Sequence, residues 1–172
     1  MKFIKNTVLA FAVISVAVGA MAQDKKDVVD IAIGSADHTT LVAAVKAADL
    51  VTTLKSAGPF TVFAPVNAAF AKLPAGTVET LLKPENKATL AGILTYHVVA
   101  GNLDATKVLA AIKGGMGKVV LTTVAGGKLT ASIEGGKVIL TDEKGGKATV
   151  TATDLKGSNG VIHVIDTVLM PK

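Results

Sequence analysis

The chain predicts an α+β fold, helices first and antiparallel strands after. Three observations carry this. Up to Gly114, apolar residues recur at helical spacing among many Ala. Beyond Gly115 the apolar period drops to two. Gly-Gly and Asn-Gly dipeptides then punctuate the second half at the spacing of hairpin turns. Helices segregated before strands pack at one end or edge of the sheets.

The elements follow in order. Asp27-Val28-Val29-Asp30-Ile31-Ala32 reads as a short opening helix. Leu41, Val42 and Val45 mark the next one, with Asp37 as its expected N-cap. A helix over 50–56 stops at Gly58-Pro59. Phe60-Thr61-Val62-Phe63 is a short strand, and Asn67 is expected to cap a helical turn over 68–72. Pro74 opens a segment carrying Val78, Leu81 and Leu82, and Lys83-Pro84 closes it. A helix over 85–94 runs into an extended Tyr96-His97 segment. Asp104 caps a helix that stops at Gly114-Gly115. Strands are expected over 119–124, 128–134, 138–140, 148–153 and 161–169, an antiparallel meander. Lys at its turns blunts exposed edges.

Residues 1–22 read as a secretory signal peptide: Lys2 and Lys5, an apolar run, then Ala20-Met21-Ala22. The run is too short for a spanning helix of about 20 residues. Residues 23–172 are therefore expected as one exported domain, secreted or periplasmic or held at the cell surface, with no membrane segment. Without the signal, 16 lysines face 13 acids, a net charge of +3 spread along the chain. With no Arg and few aromatic residues, nucleic-acid binding lacks its usual forks and stacking rings. With no Cys, thiol nucleophiles, thiolate metal sites and disulfides are excluded.

The remaining chemistry-bearing residues are sparse. Ser158, His163 and Asp166 lie close together, but in one strand His163 and Asp166 point to opposite faces. Ser158 has no Gly-x-Ser-x-Gly elbow. His38, His97 and His163 stand at no metal-ligand spacing, so no metal and no cofactor is expected. Gly114-Gly115-Met116-Gly117-Lys118 lacks the phosphate-loop pattern. Tyr96 and His97 are wrapped in aliphatic residues, and buried polar tips need hydrogen-bond partners. They read as braces at the junction of helices and sheet. The leading function is a non-enzymatic interaction module. A small-ligand or lipid carrier is the alternative, suggested by the aliphatic content.

Three stretches in order resemble the fasciclin domain. The first is Gly58-Pro59-Phe60-Thr61-Val62-Phe63-Ala64-Pro65-Val66-Asn67-Ala68-Ala69-Phe70. The second is Leu94-Thr95-Tyr96-His97-Val98-Val99. The third is Asn159-Gly160-Val161-Ile162-His163-Val164-Ile165-Asp166 with Val168-Leu169-Met170-Pro171. Val66 stands where the family often has Thr or Ser, which moves the expected cap to Asn67. The resemblance extends over about 26–172. It implies a β-sandwich or wedge of mostly antiparallel strands with helices clustered beside it. It implies no enzymatic activity, and a role in adhesion or protein and matrix contact. Thr61, Phe63, Pro65, Asn67, Asn159, Gly160, His163 and Asp166 are then motif residues of structural type. In animal members the Tyr-His segment and an Asp-Ile pair before the last box are assigned to integrin binding. Tyr96, His97, Asp154 and Leu155 occupy those places, with Ala152 and Thr153 departing from the pattern. The expected partner is a protein or a surface polysaccharide other than integrin, bound by a monomer or weak homo-oligomer.

Overall fold

A computed structural model describes residues 26–56 and 58–172. The predicted signal segment lies outside the described residues.

Seven helices and seven strands are described. The helices are α1 (Val28–Ile33), α2 (Thr39–Ala47), α3 (Val51–Lys55), α4 (Asn67–Ala71), α5 (Thr77–Leu81), α6 (Lys87–Tyr96) and α7 (Ala105–Gly114). The strands are β1 (Phe60–Pro65), β2 (Val98–Ala100), β3 (Lys118–Thr122), β4 (Lys128–Glu134), β5 (Lys137–Thr141), β6 (Lys147–Gly157) and β7 (Gly160–Ile165). The α+β expectation holds, and the meander β3 to β7 runs in chain order.

The sheet runs β2-β1-β7-β6-β5-β4-β3. Every pair is antiparallel except β1 with β7, which are parallel. The sheet nearly closes on itself. An isolated bridge joins Val99 to Thr123, and the Val124 N–H donates to the Val98 carbonyl at 2.7 Å.

Alternation along the central strands divides the interior into two cores. Val62 and Ala64 of β1, Val98 of β2 and Ile162 of β7 face the helices, against Val28, Leu41, Val45, Leu54, Ile93 and Leu94. Phe63, Val99 and Ile165 face the inside of the curled sheet, against Leu121, Leu129, Ala131, Leu140 and Ala148. Helix α7 closes the open end of this second core with Val108 and Ile112.

Local chemistry explains several boundaries. Asp27 caps α1 in a capping box with Asp30. The Asp104 carboxylate accepts from the Lys107 N–H at 2.9 Å and starts α7, as expected. Three expectations are corrected. Asp37 does not cap α2; it sits inside a 3-10 turn before it. The run through Tyr96-His97 is not extended: Tyr96 is the last residue of α6 and His97 has helical φ and ψ. Strand β7 stops at Ile165, so Asp166 leaves the ladder rather than lying within it.

Candidate functional site

The three motif stretches are one unit. The first and last pair directly in β1 and β7, with Thr61 opposite Val161, Phe63 opposite His163 and Pro65 opposite Ile165. The Tyr-His stretch leads into β2, which pairs on the other side of β1. Segments about a hundred residues apart thus form the central ribbon β2-β1-β7, on which both cores rest.

Tyr96 is fully buried in the second core. Its hydroxyl donates to the Lys128 carbonyl at 2.7 Å and accepts from the Glu143 N–H at 3.2 Å. It joins α6 to the turns on either side of the β4–β5 hairpin. Burial pushes this phenol above its ordinary range.

His97 is 2 % exposed. Its Nδ1 lies 2.7 Å from the Ile93 carbonyl, which can only accept, so Nδ1 donates. Its Nε2 accepts from the Leu169 N–H at 3.0 Å. Both ring nitrogens are used by the neutral ring. Burial holds its pKa down, to about 4.

A residue the sequence reading passed over works beside it. Asp142 is buried and accepts from the Lys144 and Gly146 N–H groups, closing the β5–β6 turn. Its other oxygen accepts from the Met170 N–H at 3.0 Å. His97 and Asp142 therefore hold consecutive amides of the C-terminal segment. Asp142-Glu143-Lys144-Gly145-Gly146 carries the signal for the turn, but nothing local points to Met170.

The other motif residues also bond inward. Thr61 donates to the Gly101 carbonyl at 2.7 Å and accepts from the Leu103 N–H at 2.9 Å. Asn67 does not cap its own helix: Val66 holds the N-cap position of α4 without a side-chain bond. Its Oδ1 instead accepts from the Thr40 N–H at 3.0 Å and the Thr39 hydroxyl at 3.2 Å, and its Nδ2 donates to the Ala36 carbonyl. It caps α2 from a distance.

Asn159 does the same on a larger scale. It donates to the Leu54 and Ser56 carbonyls at 2.6 and 3.0 Å and accepts from the Val28 N–H at 3.1 Å. One amide ties the end of α3 to the start of α1. Gly160 is not at positive φ, contrary to the turn expected of Asn159-Gly160. It is Gly because a Cβ there would strike the Phe60 carbonyl oxygen across the ladder.

Asp166 accepts from the Thr149 N–H at 2.8 Å and pairs with Lys72 at 3.8 Å. Burial pulls its pKa up, but the hydrogen bonds and Lys72 outweigh this and hold it below the ordinary carboxylate range. His163 stacks on Phe63 at 5.7 Å, and its Nε2 lies 2.6 Å from the Leu103 carbonyl. Ser158, His163 and Asp166 share no hydrogen bond with one another. Among the described residues no three His, Asp or Glu side chains gather to hold a metal ion.

Asp154 and Leu155 sit on β6 between two register shifts, where the strand bulges against β7. Asp154 adopts a φ of 60° and accepts from the Ala105 N–H at 2.8 Å, anchoring the first turn of α7. Leu155 is 39 % exposed. Of the four candidate binding residues, Leu155 thus offers the apolar surface, while Tyr96 and His97 do not reach solvent.

Among the described residues no helix is long and apolar enough to cross a membrane. The packing of α1, α2 and α3 on the sheet leaves a cavity of about 40 Å³, lined mainly by apolar side chains together with Lys46 and His97.

Comparison with known proteins places this architecture. Protein sll1483 of Synechocystis sp. is 52 % identical over 144 residues, covering 84 % of this chain and 73 % of that protein. Immunogenic protein MPB70 of Mycobacterium bovis is 37 % identical over 159 residues, covering 90 % of this chain and 72 % of that protein. A solved domain pair from the insect cell adhesion molecule fasciclin I superposes with a TM-score of 0.73 at 20 % identity; it covers 84 % of this chain, which spans 51 % of that one. The Fasciclin domain model matches residues 36–171, from the turn before α2 to the C-terminal segment that His97 and Asp142 hold. The chain belongs to the fasciclin domain family.

Proposed function

We propose that this chain is an exported, non-enzymatic recognition module, freed of residues 1–22, that contacts another protein or a surface polysaccharide and contributes to adhesion. It works outside the cytoplasm, in the periplasm, at the cell surface or in the medium, as a monomer or weak homo-oligomer. One observation carries the reading. Among the motif side chains, Tyr96, His97, Asn159 and Asp166 spend their hydrogen bonds on backbone groups of their own chain, as does Asp142 beside them, and His163 is buried with one ring nitrogen on the Leu103 carbonyl. A general base or nucleophile needs a lone pair or proton within reach of a substrate; these have committed theirs to holding distant segments together, and the spare nitrogen of His163 is buried out of reach.

Recognition on this reading belongs to the outer surface. Tyr96 and His97 position it from within, and Leu155, on the β6 bulge that Asp154 anchors, is the contact we assign. The carrier alternative has little room between helices and sheet: about 40 Å³ under α1–α3 and about 220 Å³ between α7 and β5–β6, against the roughly 300–1,000 Å³ of ordinary ligand pockets.

The test compares attachment of a strain lacking the protein with strains expressing it unchanged or as Leu155→Asp, with crosslinking of the native envelope. The reading expects lost attachment on deletion, a specific crosslinked partner, and reduced attachment for Leu155→Asp at unchanged thermal stability. Unaltered attachment with no crosslinked partner refutes it.

A further inference from the structure

One stretch of the chain has a composition the rest does not share. From Ala105 to Ile133 it carries four Lys and no acidic residue. The same stretch holds five of the seven large apolar side chains that are exposed among the described residues. Three of these follow in line: Met116 in the turn between α7 and β3, Val120 on β3, and Val124 just past it. Lys118 alternates with Val120 along β3, and Lys128 lies opposite Thr122 in the register, so both lysines share the outer face of Val120.

Met116 is held in its turn against its own preference. The Gly117 N–H donates to the Ile112 carbonyl at 2.8 Å and ends α7 in the manner of a Schellman motif. Met116 is the left-handed residue of that turn, with a φ of 56°. Gly is the usual occupant there, because any side chain costs stability. Met116 recovers nothing by packing: it is 98 % exposed. A strained residue without packing contacts points to a contact made outside the molecule.

A protruding methionine among lysines fits a deformable partner. Protein interfaces centre on aromatic and Arg anchors seated in pockets, and residues 105–133 contain neither. A bilayer takes up an apolar tip at its interface while lysines meet anionic headgroups. We infer that the α7–β3 turn docks on the surface of an anionic lipid bilayer, with Met116 entering the interface and Lys113, Lys118 and Lys128 facing the headgroups. The contact is weak and reversible, since even a whole myristoyl chain binds only marginally. The inference rests on the export proposed above and adds a membrane contact to the recognition assigned to Leu155.

The test is sedimentation of the protein, purified after export, with vesicles of phosphatidylglycerol or of phosphatidylcholine. Phosphatidylglycerol vesicles are expected to carry it down at low salt, phosphatidylcholine vesicles far less, and added salt to release it. Met116→Gly is expected to bind about tenfold less, the lower end for burying one such side chain. It should melt at or above the wild-type temperature, because Gly relieves the turn. Met116→Leu should keep the binding. Replacing Lys113, Lys118 and Lys128 by Gln should weaken it roughly fivefold for each charge removed. Replacing Lys26, Lys46 and Lys83 by Gln, the same loss of charge on the helical half, should weaken it no more than about twofold in all. The inference is overturned if the two kinds of vesicle hold equal protein, if Met116→Gly binds like wild type, or if the two triple variants lose equally. Capture of a protein rather than lipid by a photoreactive side chain at position 116 in the native envelope also overturns it. Vesicle binding that fails while attachment through Leu155 persists refutes this inference alone; vesicle binding that persists while attachment fails supports it and refutes the Leu155 contact.

Discussion

Tyr96 and His97, consecutive at the end of α6, stand with ring centroids 6.5 Å apart and planes at 87°, and each bonds to a different distant segment. Tyr96 reaches the turns flanking β4 and β5; His97 reaches the C-terminal Leu169. A helix end makes this possible, because successive side chains there leave the axis about 100° apart. One turn of backbone thereby fastens both ends of the sheet half of the molecule.

The His97 arrangement makes stability depend on pH. Burial holds the folded ring near a pKa of about 4 against an ordinary 6.5. Between those values the unfolded chain binds a proton that the folded chain refuses. Stability is therefore complete above about pH 6.5 and falls as pH falls toward 4. The slope approaches about 1.4 kcal/mol per pH unit, for a loss of about 3 kcal/mol across the window. His38, also shifted down by burial, acts in the same direction. Urea midpoints are expected to be level from pH 8 to 7 and to drop steeply between 6.5 and 4. His97→Gln should be less stable at pH 7 and show a flatter profile below 6.5. A wild-type profile without that drop contradicts the assignment.

Removing the Tyr96 hydroxyl leaves the Lys128 carbonyl and the Glu143 N–H to fend for themselves beside a buried ring. Tyr96→Phe is expected to cost about 1–3 kcal/mol in equilibrium unfolding, the penalty for unpaired buried backbone groups. Hydrogen exchange should quicken first at the Glu143 amide, where the bond is broken. If recognition is external, attachment should survive in proportion to the folded fraction. A full loss of attachment at unchanged stability would instead give Tyr96 a direct contact.

Much of this was legible in the sequence, and the gaps share a cause. Period and turn chemistry located the helices and the meander, because those signals are local. The Asp104 cap was readable for the same reason: its acceptor and the Lys107 N–H lie three residues apart. The parallel pairing of β1 with β7 was not, since no local pattern says that residue 60 will lie opposite 160. The errors over Asn67 and Gly160 follow from that. Both residue types were read by their local habits, as a cap and a turn, whereas their roles are set by strands and helices far along the chain. The Tyr96-His97 run misled differently. It is β-branched and apolar on its C-terminal side, which favours a strand, and α6 simply continues two residues further before β2 begins.

Asn67 offers a test of capping at a distance. Asn67→Ala removes the acceptor at the start of α2 and the donor to Ala36, and should cost about 1–2 kcal/mol, in the range of lost N-caps. Asn67→Asp keeps the acceptor and loses the donor, so it should recover part of that. The exchange rate of the Thr40 amide distinguishes the two: it should rise sharply in Asn67→Ala and little in Asn67→Asp. A rise confined to α4 amides in Asn67→Ala would mean that Asn67 caps its own helix after all.

Two glycines make opposite predictions from the same substitution. Gly160 lies in β7 where β1 passes closest, and an added Cβ meets the Phe60 carbonyl oxygen and carbon. Backbone cannot swing aside as a flexible side chain can, and β1–β7 is the pair on which both cores rest. Gly160→Ala should therefore lose several kcal/mol, on the scale of the larger single-residue effects, or fail to accumulate as folded protein. Gly92 lies inside α6, where an added Cβ has no neighbour within 4 Å. There the methyl removes backbone freedom from the unfolded chain without a clash, and Gly92→Ala should gain about 0.5–1 kcal/mol. Thermal unfolding of the two variants beside wild type reads both. If Gly160→Ala were tolerated, the parallel contact between β1 and β7 would be looser than described, and the common frame of the three motif stretches would go with it.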